Sequence, residues 1–222
     1  MTGGGPDSAG VRAHYAALAR DYDRRANRAC GRAYEDLIRR TFAGRRRVLE
    51  IGAGSSPRAG LAGAPRAVAC DLSWPMLAAR NALPDLPRAV ADGAALPFAT
   101  GAFDGVFSIN VIEHVPDPAV FIAESARVLA PGGLLLIVTP NGDAARLLAL
   151  LERLRLKLPE GPHRFLGARE LAELSREAFD TLEHRKFLAL PAGPPAFVRG
   201  IDALVRAGMG RGLFQYAVLR RR

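Results

Sequence analysis

Two acids and two glycines hold the chemistry of this chain. Glu50-Ile-Gly52-Ala53-Gly54 follows the apolar pair Val48-Leu49, and Ala67-Val-Ala-Cys70 runs into Asp71-Leu72. The order reads as strand, glycine turn, helix, strand, acid. Glycine lets a backbone turn sharply and approach a ligand where a Cβ would intrude, and an acid ending the second strand can accept from both hydroxyls of a ribose. This is the pattern of a nucleoside-cofactor site, with Glu50, Gly52, Ala53, Gly54, Asp71 and Leu72 as candidate contacts. A dinucleotide turn would carry a third glycine at position 57, to bring a pyrophosphate onto a helix start. Pro57 stands there and disfavours NAD.

The elements that must position these residues are legible on either side. Arg88-Ala-Val90 is a short strand leading to Ala91-Asp92-Gly93-Ala94. An Asp after a third strand can accept from an exocyclic amine while a following backbone NH donates to a ring nitrogen, so Asp92, Gly93 and Ala94 suit an adenine edge. A bare Asp-Gly turn has the same sequence. Phe103–Asn110 is a β-branched and aromatic strand that runs into Val111-Ile-Glu113-His114-Val-Pro-Asp-Pro118. Asp117 as N-cap and Pro118 at the first helical position predict a helix with the stripe Phe121, Ile122, Ser125, Val128, Leu129, stopped by Pro131-Gly-Gly133. Leu134–Thr139 is continuously apolar, as in a parallel strand buried on both faces. Strands are also expected at Thr181–Leu188 and Leu213–Leu219, and helices near Val11–Arg20 and Ala26–Arg40.

Taken together, Glu50–Pro57, Asp71, Asp92, Glu113–Pro118 and Arg127–Gly133 resemble the small-molecule branch (methyltransferase type 11) of the class I methyltransferases that use S-adenosylmethionine, over about residues 45 to 190. Within that branch the chain resembles the ubiquinone-biosynthesis O-methyltransferases, on Glu113–Pro118, the segment after Thr139-Pro-Asn141, and Leu158–His163 leading to Phe165 and Glu170-Leu171. Ser56 stands where the family usually has its third glycine. The resemblance implies an α/β fold, a doubly wound, seven-stranded, mostly parallel sheet with the last strand antiparallel. It implies S-adenosylmethionine as cofactor and S-adenosylhomocysteine as product, with Asn110 at the cofactor and Tyr15 and Tyr22 either covering its methionine end or, equally, serving as packing residues. Some relatives bind a divalent metal through acid-x-x-Glu-His. Asn110 replaces that acid here, and an amide oxygen can still ligate magnesium or calcium, though less strongly, so a divalent metal is left open but not favoured.

Methyl transfer from a sulfonium is an in-line displacement in which the protein chiefly aligns the acceptor. A phenol or catechol must lose a proton, which His114 or His163 could take, with Glu113 beside them. Equally, Glu113 could cap a backbone NH and His114 could be a satisfied, packed histidine. Residues 143–158 place Ala144, Leu147, Leu148, Leu151, Leu154 and Leu158 on one helical stripe opposite Arg146, Arg153 and Lys157. That face suits membrane lipid, the sheet or a second subunit. Phe197, Ile201, Leu204, Val205 and Met209 form a second apolar face. The expected organisation is a disordered 1–10 and a single domain over 11–222, with cap helices in 11–44 and acceptor-side or lid insertions at 143–165 and 190–212.

The 222 residues suit one domain with a sizeable core. The net charge of +9 is almost wholly arginine, with Lys157 and Lys186 the only lysines. Cys30 and Cys70 give neither a disulfide framework nor a zinc spacing. With no signal-peptide h-region and no bilayer-spanning run, the expected location is the cytoplasm, with peripheral contact at the inner face of the membrane through 143–158. Asn110-Val-Ile-Glu113 lacks the proline and aromatic that clamp a flipped adenine, and no basic stripe is interleaved with aromatics, so nucleic acid is not an expected partner. The expected partner is a small acceptor, with oligomeric state open. The competing functions are a non-catalytic S-adenosylmethionine binder or scaffold and an RNA or protein methyltransferase.

Overall fold

Alternate residues of the central apolar runs enter opposite faces of one sheet, as a period of two requires. Val48, Phe107, Leu136 and Val138 pack on one side against Tyr34, Leu37, Ile38 and Phe42. Leu49, Ile51, Val106, Leu135 and Ile137 pack on the other against Phe121, Ile122, Val128 and Leu171. The computed structural model describes residues 6–19, 28–79, 86–145, 148, 162–187 and 212–222. Its strands are β1 (Arg47–Ile51), β2 (Arg66–Asp71), β3 (Arg88–Val90), β4 (Phe103–Ile109), β5 (Leu129–Pro140), β6 (Phe179–Phe187) and β7 (Phe214–Arg221). Its helices are α1 (Ser8–Leu18), α2 (Arg28–Phe42), α3 (Trp74–Ala78), α4 (Pro118–Val128) and α5 (Ala168–Ser175). One face carries α2, the other α4 and α5.

The seven strands run in the order β3-β2-β1-β4-β5-β7-β6. Strands β1 to β5 are mutually parallel, and β7 lies antiparallel between β5 and β6, as expected of a doubly wound sheet with its last strand reversed. The chain steps outward from β1 through β2 to β3, then returns to the other side of β1 with β4. That reversal opens a crevice beyond the carboxyl ends of β1 and β4, where open α/β sheets bind ligands. The glycine turn and the Asn110–His114 segment both leave the sheet there.

Three boundaries differ from the sequence reading. The expected helix after the glycine turn is only a 3-10 turn, Ala59–Ala62, ended by Gly63 with φ +65°. Between Pro57 and Pro65 the chain also carries Gly60 and Gly63, which leaves too little room for a regular helix. Helix α4 starts as expected, with the Asp117 carboxylate accepting from the Ala119 NH at 2.8 Å, but it stops at Val128, ahead of Pro131-Gly-Gly133. Those three residues instead lie in β5, where Phe103 of β4 already pairs with Leu129. Residues 8–10, expected to be disordered, begin α1 because the Asp7 carboxylate caps the Gly10 NH.

Candidate active site

The glycine turn is shaped by two close approaches. Gly52 has φ +72°, and a Cβ on it would lie 2.2 Å from Cγ2 of Val111, which comes two residues after β4 across the crevice. Gly54 has φ +61°. The NH groups of Gly52 and Ala53 both donate to the Cys70 carbonyl, at 2.8 and 2.9 Å, which ties the turn to the end of β2. Asp71 comes next. Its Oδ2 accepts from the Gly54 NH and its Oδ1 from the Ser73 NH, each at 2.8 Å, so the second acid is already oriented by the turn. Burial raises its carboxyl above the ordinary range, while the two NH groups pull the other way. Leu72 follows, half-buried. Burial also pushes the Cys70 thiol up to about 12, which leaves it an inert core residue.

Glu50 holds the other end of the same turn. Its Oε2 accepts from the Arg58 NH at 2.5 Å and the Ala59 NH at 2.7 Å, and the residue is buried. Sequence reasoning named it a cofactor contact; the contact observed is with the backbone of its own loop. Burial pushes its carboxyl up to about 7, against the opposing pull of Arg58 and the two NH groups, with the Asp71 charge adding to the rise. An acid that titrates higher in the fold than in the unfolded chain binds more protons when folded, so stability falls as pH rises from its unfolded value near 4.5 to about 7 and is level above. Urea denaturation from pH 5 to 8 is expected to show a decline of about 2.5 kcal/mol, largely removed in Glu50→Gln. Parallel slopes in the two proteins would mean that Glu50 is ionised in both states.

At the third strand, the Asp92 carboxylate accepts from the Ala94 NH at 2.9 Å and from the Ser8 hydroxyl of α1 at 3.4 Å. Gly93 admits no side chain, since a Cβ there would meet the Phe121 ring at 2.7 Å. Asn110 follows β4 with φ +55°, a left-handed conformation that Asn tolerates better than most residues. Its NH donates to the Val138 carbonyl at 2.8 Å, and its side-chain Oδ1 is buried with no hydrogen-bond partner among the described residues.

Glu113 and His114 form a buried 3-10 turn with Ile112. The Glu113 carboxylate accepts from the Thr139 hydroxyl of β5 at 2.9 Å, and its carbonyl accepts from the Arg164 NH at 2.8 Å. His114 is bound on both nitrogens: Nδ1 faces the Pro162 carbonyl at 2.9 Å and Nε2 the Tyr15 hydroxyl at 3.0 Å. The His163 ring stands edge-on to His114 at 6.2 Å and stacks on Phe165 at 4.4 Å. The structure thus brings Tyr15, Glu113, His114 and His163 to one end of the crevice and Asp71 and Asp92 to the other, with Asn110 and the glycine turn between them. Tyr15 was expected at the cofactor; its hydroxyl lies on His114. Among the described residues, no three His, Cys, Asp or Glu side chains gather as a metal-binding group.

Tyr22 lies outside the described residues, as do 146–147, 149–161 and 188–211, and with them most of both acceptor-side segments. Ala144 and Leu148, at the start of the first, are buried in the sheet core. Sequence reasoning missed Ser8, which reaches Asp92, and Val111, whose side chain fills the space that Gly52 leaves. Neither has a local signal, because each is defined by a partner distant in sequence.

Residues 49–137 match a family model described as a methyltransferase domain. Over 109 residues the chain is 37% identical to the ubiquinone biosynthesis O-methyltransferase of Thiobacillus denitrificans, a stretch covering 46% of each protein. The chain therefore spans about half the length of the curated relatives it matches. An S-adenosylmethionine-dependent methyltransferase of Thermotoga maritima, described as a possible histamine N-methyltransferase, has the same fold at a TM-score of 0.68 and 18% identity, over 96% of this chain and 100% of that one. An N-methyltransferase of Haemonchus contortus, solved with phosphomonomethylethanolamine and S-adenosylhomocysteine, aligns at a TM-score of 0.58 and 17% identity, over 85% of this chain and 52% of that one. At such identities the two structures speak for the fold. Residues 49–137 thus carry a methyltransferase domain, within a doubly wound sheet that has the fold of the S-adenosylmethionine-dependent methyltransferases.

Proposed function

We propose that the protein transfers a methyl group from S-adenosylmethionine to a hydroxyl oxygen of a small, lipophilic acceptor such as a quinone precursor or a phenol. The observation that carries this reading is the Gly52–Gly54 turn set against Asp71 at the switch point of the sheet. The residues fit the cofactor. Each Asp71 oxygen accepts one NH and retains a lone pair for a ribose hydroxyl, and the turn presents backbone without side chains. Asp92, Gly93 and Ala94 would hold the adenine edge, while Gly52, Ala53 and Asn110 would line the methionine end. When bound, S-adenosylmethionine supplies an electrophilic methyl group on a sulfonium. The chain's own contribution is then to bind, orient and deprotonate the acceptor at the Glu113–His114 and His163 end. Oxygen as the target atom is supported by the likeness to the ubiquinone biosynthesis O-methyltransferase.

We place the protein in the cytoplasm; the expected membrane-facing stripe of 143–158 lies mostly outside the described residues, and its Ala144 and Leu148 are buried in the sheet core. No helix of the described residues is long and apolar enough to cross a membrane. Titration calorimetry with S-adenosylmethionine and S-adenosylhomocysteine, followed by transfer of labelled methyl to catechols, hydroquinones and phenols with and without liposomes, tests the reading. Micromolar binding with transfer to a hydroxyl supports it. Binding without transfer to any hydroxyl favours a non-catalytic binder, and no binding rejects the site.

A further inference from the structure

We infer that Gln215 is a positioning residue for the acceptor end of the site: from the buried start of β7 its side-chain amide holds the loop 162–167, and with it His163, against the edge of the sheet. This rests on the methyl-transfer reading above, which puts the acceptor at the Glu113–His114 and His163 end.

On the sheet face covered by α4 and α5, β5 and β7 pair Leu135 with Leu219, Ile137 with Ala217 and Thr139 with Gln215. Two apolar pairs thus give way to a polar one where β5 reaches the crevice. Both polar side chains are fully buried, and each leaves the sheet for a different part of the acceptor end. Thr139 donates to the Glu113 carboxylate at 2.9 Å, and Gln215 Nε2 donates to the Leu166 carbonyl at 2.7 Å. An amide oxygen only accepts, so His184 Nε2 of β6 is the donor in its 3.0 Å bond to Gln215 Oε1. The amide is used at both ends. Turned over, it would set donor against donor at His184 and acceptor against acceptor at Leu166.

The Leu166 carbonyl also accepts from the Gly142 NH at 2.9 Å. Gln215 is therefore not needed to satisfy that carbonyl; its second bond fixes where the carbonyl, and the loop carrying it, can lie. The two turns touch closely, since a Cβ on Gly142 would lie 2.6 Å from the Leu166 carbonyl carbon. Behind them the buried Asn141 donates from Nδ2 to the Gly212 carbonyl and from its NH to the Leu213 carbonyl, each at 2.8 Å, so the turn after β5 is tied to the chain entering β7. Nearer its start, the loop is held by the Arg164 NH on the Glu113 carbonyl at 2.8 Å. His163 stands one residue from the Arg164 anchor and three from the Leu166 anchor, with its ring on Phe165 at 4.4 Å. The loop has neither strand nor helix of its own, so these anchors set the place of that ring. Methionine at 215 would fill the same volume and give the loop no such bond.

Calorimetry, kinetics with catechol and NMR of the histidine rings test the inference. Gln215→Met is expected to bind S-adenosylhomocysteine as wild type does and to lower kcat about 10- to 100-fold with KM little changed, because a small misplacement at the reacting centre costs that much. Its His163 ring resonances should lose the shift that stacking on Phe165 imposes, while those of His14 on α1 stay. Leu219→Ala, on the same strand and face at the far end of the sheet, controls for lost stability: it is expected to lower Tm at least as much and to leave kcat intact. Either an unchanged kcat or unchanged His163 resonances in Gln215→Met overturns the inference, as does an equal loss of kcat in Leu219→Ala. In the wild type itself the side-chain amide protons of Gln215 are expected to exchange slowly with solvent, and fast exchange overturns the inference even if the variant does not fold. The resonances and the exchange are read without an acceptor, which keeps the anchoring separate from the reading beneath it. A wild type that binds no S-adenosylhomocysteine, or binds it and transfers no methyl to catechol, rejects the assigned role while leaving the anchoring as measured.

Discussion

Replacing Asp71 by alanine is expected to raise the Kd for S-adenosylmethionine about 1,000-fold. A hydrogen bond to a charged group contributes about 1.5–3 kcal/mol, and two ribose hydroxyls on one carboxylate make that about 3–6 kcal/mol. At about 1.4 kcal/mol per tenfold, the range spans about two to four orders of magnitude. A second loss comes from within the protein. Asp71 also accepts from the Gly54 and Ser73 NH groups, so alanine leaves both without their partner and loosens the turn. Asp71→Asn keeps the shape but turns one of its two faces into a donor set against a donor, so it is expected to bind almost as poorly. Calorimetry of the three proteins, with the melting temperature of each in the absence of ligand, separates lost ribose contacts from a loosened turn. Unchanged affinity in Asp71→Ala would remove the acid from the site.

The second large effect is expected at Gly52. An alanine there must adopt φ +72°, which costs an L-residue about 1–2 kcal/mol. Its Cβ would also overlap Val111, with Cγ2 at 2.2 Å and Cβ at 3.3 Å, so a turn of the Val111 side chain relieves only part of the crowding. Overpacking of that kind adds about 1–3 kcal/mol. The expected result is a variant less stable by about 2–5 kcal/mol, which for a chain of this size lowers Tm by about 4–20 °C. Cofactor binding should weaken with it, because the NH that Gly52 gives to Cys70 holds the turn against Asp71. Gly63→Ala is the internal control. That glycine has nearly the same φ, +65°, but a Cβ on it would meet nothing within 4 Å, so only the backbone cost should appear. Equal losses in the two variants would show that Val111 moves aside freely and that Gly52 matters for conformation alone.

The site was partly legible before folding because part of it is local. Glu50, Gly52, Gly54 and Asp71 stand in one strand-turn-strand unit whose apolar periods mark where each strand ends, and a strand end dictates where the next side chain emerges. Asp117 and Pro118 announced the start of α4 for the same reason, since a cap and the NH it satisfies are two residues apart. The role of Glu50 was less legible. Its type and place were evident, but its partners are the NH groups of Arg58 and Ala59, in a loop whose collapse to a 3-10 turn follows from glycines and prolines competing with helix formation.

The central strands, the glycine turn and the acid after β2 were legible in the sequence, because strand period, glycine conformation and capping act over a few residues, whereas the order and direction of the strands followed from the family resemblance. The pairing of Tyr15 with His114, Ser8 with Asp92, Glu113 with Thr139 and Val111 with Gly52 emerges only on folding. The physical reason is that hydrogen-bond capacity belongs to a residue type, whereas partner choice between distant residues is set by which elements the buried core brings together. A tyrosine on a capping helix can donate to any acceptor. Packing of α1 across the crevice is what makes that acceptor the Nε2 of a buried histidine 99 positions away.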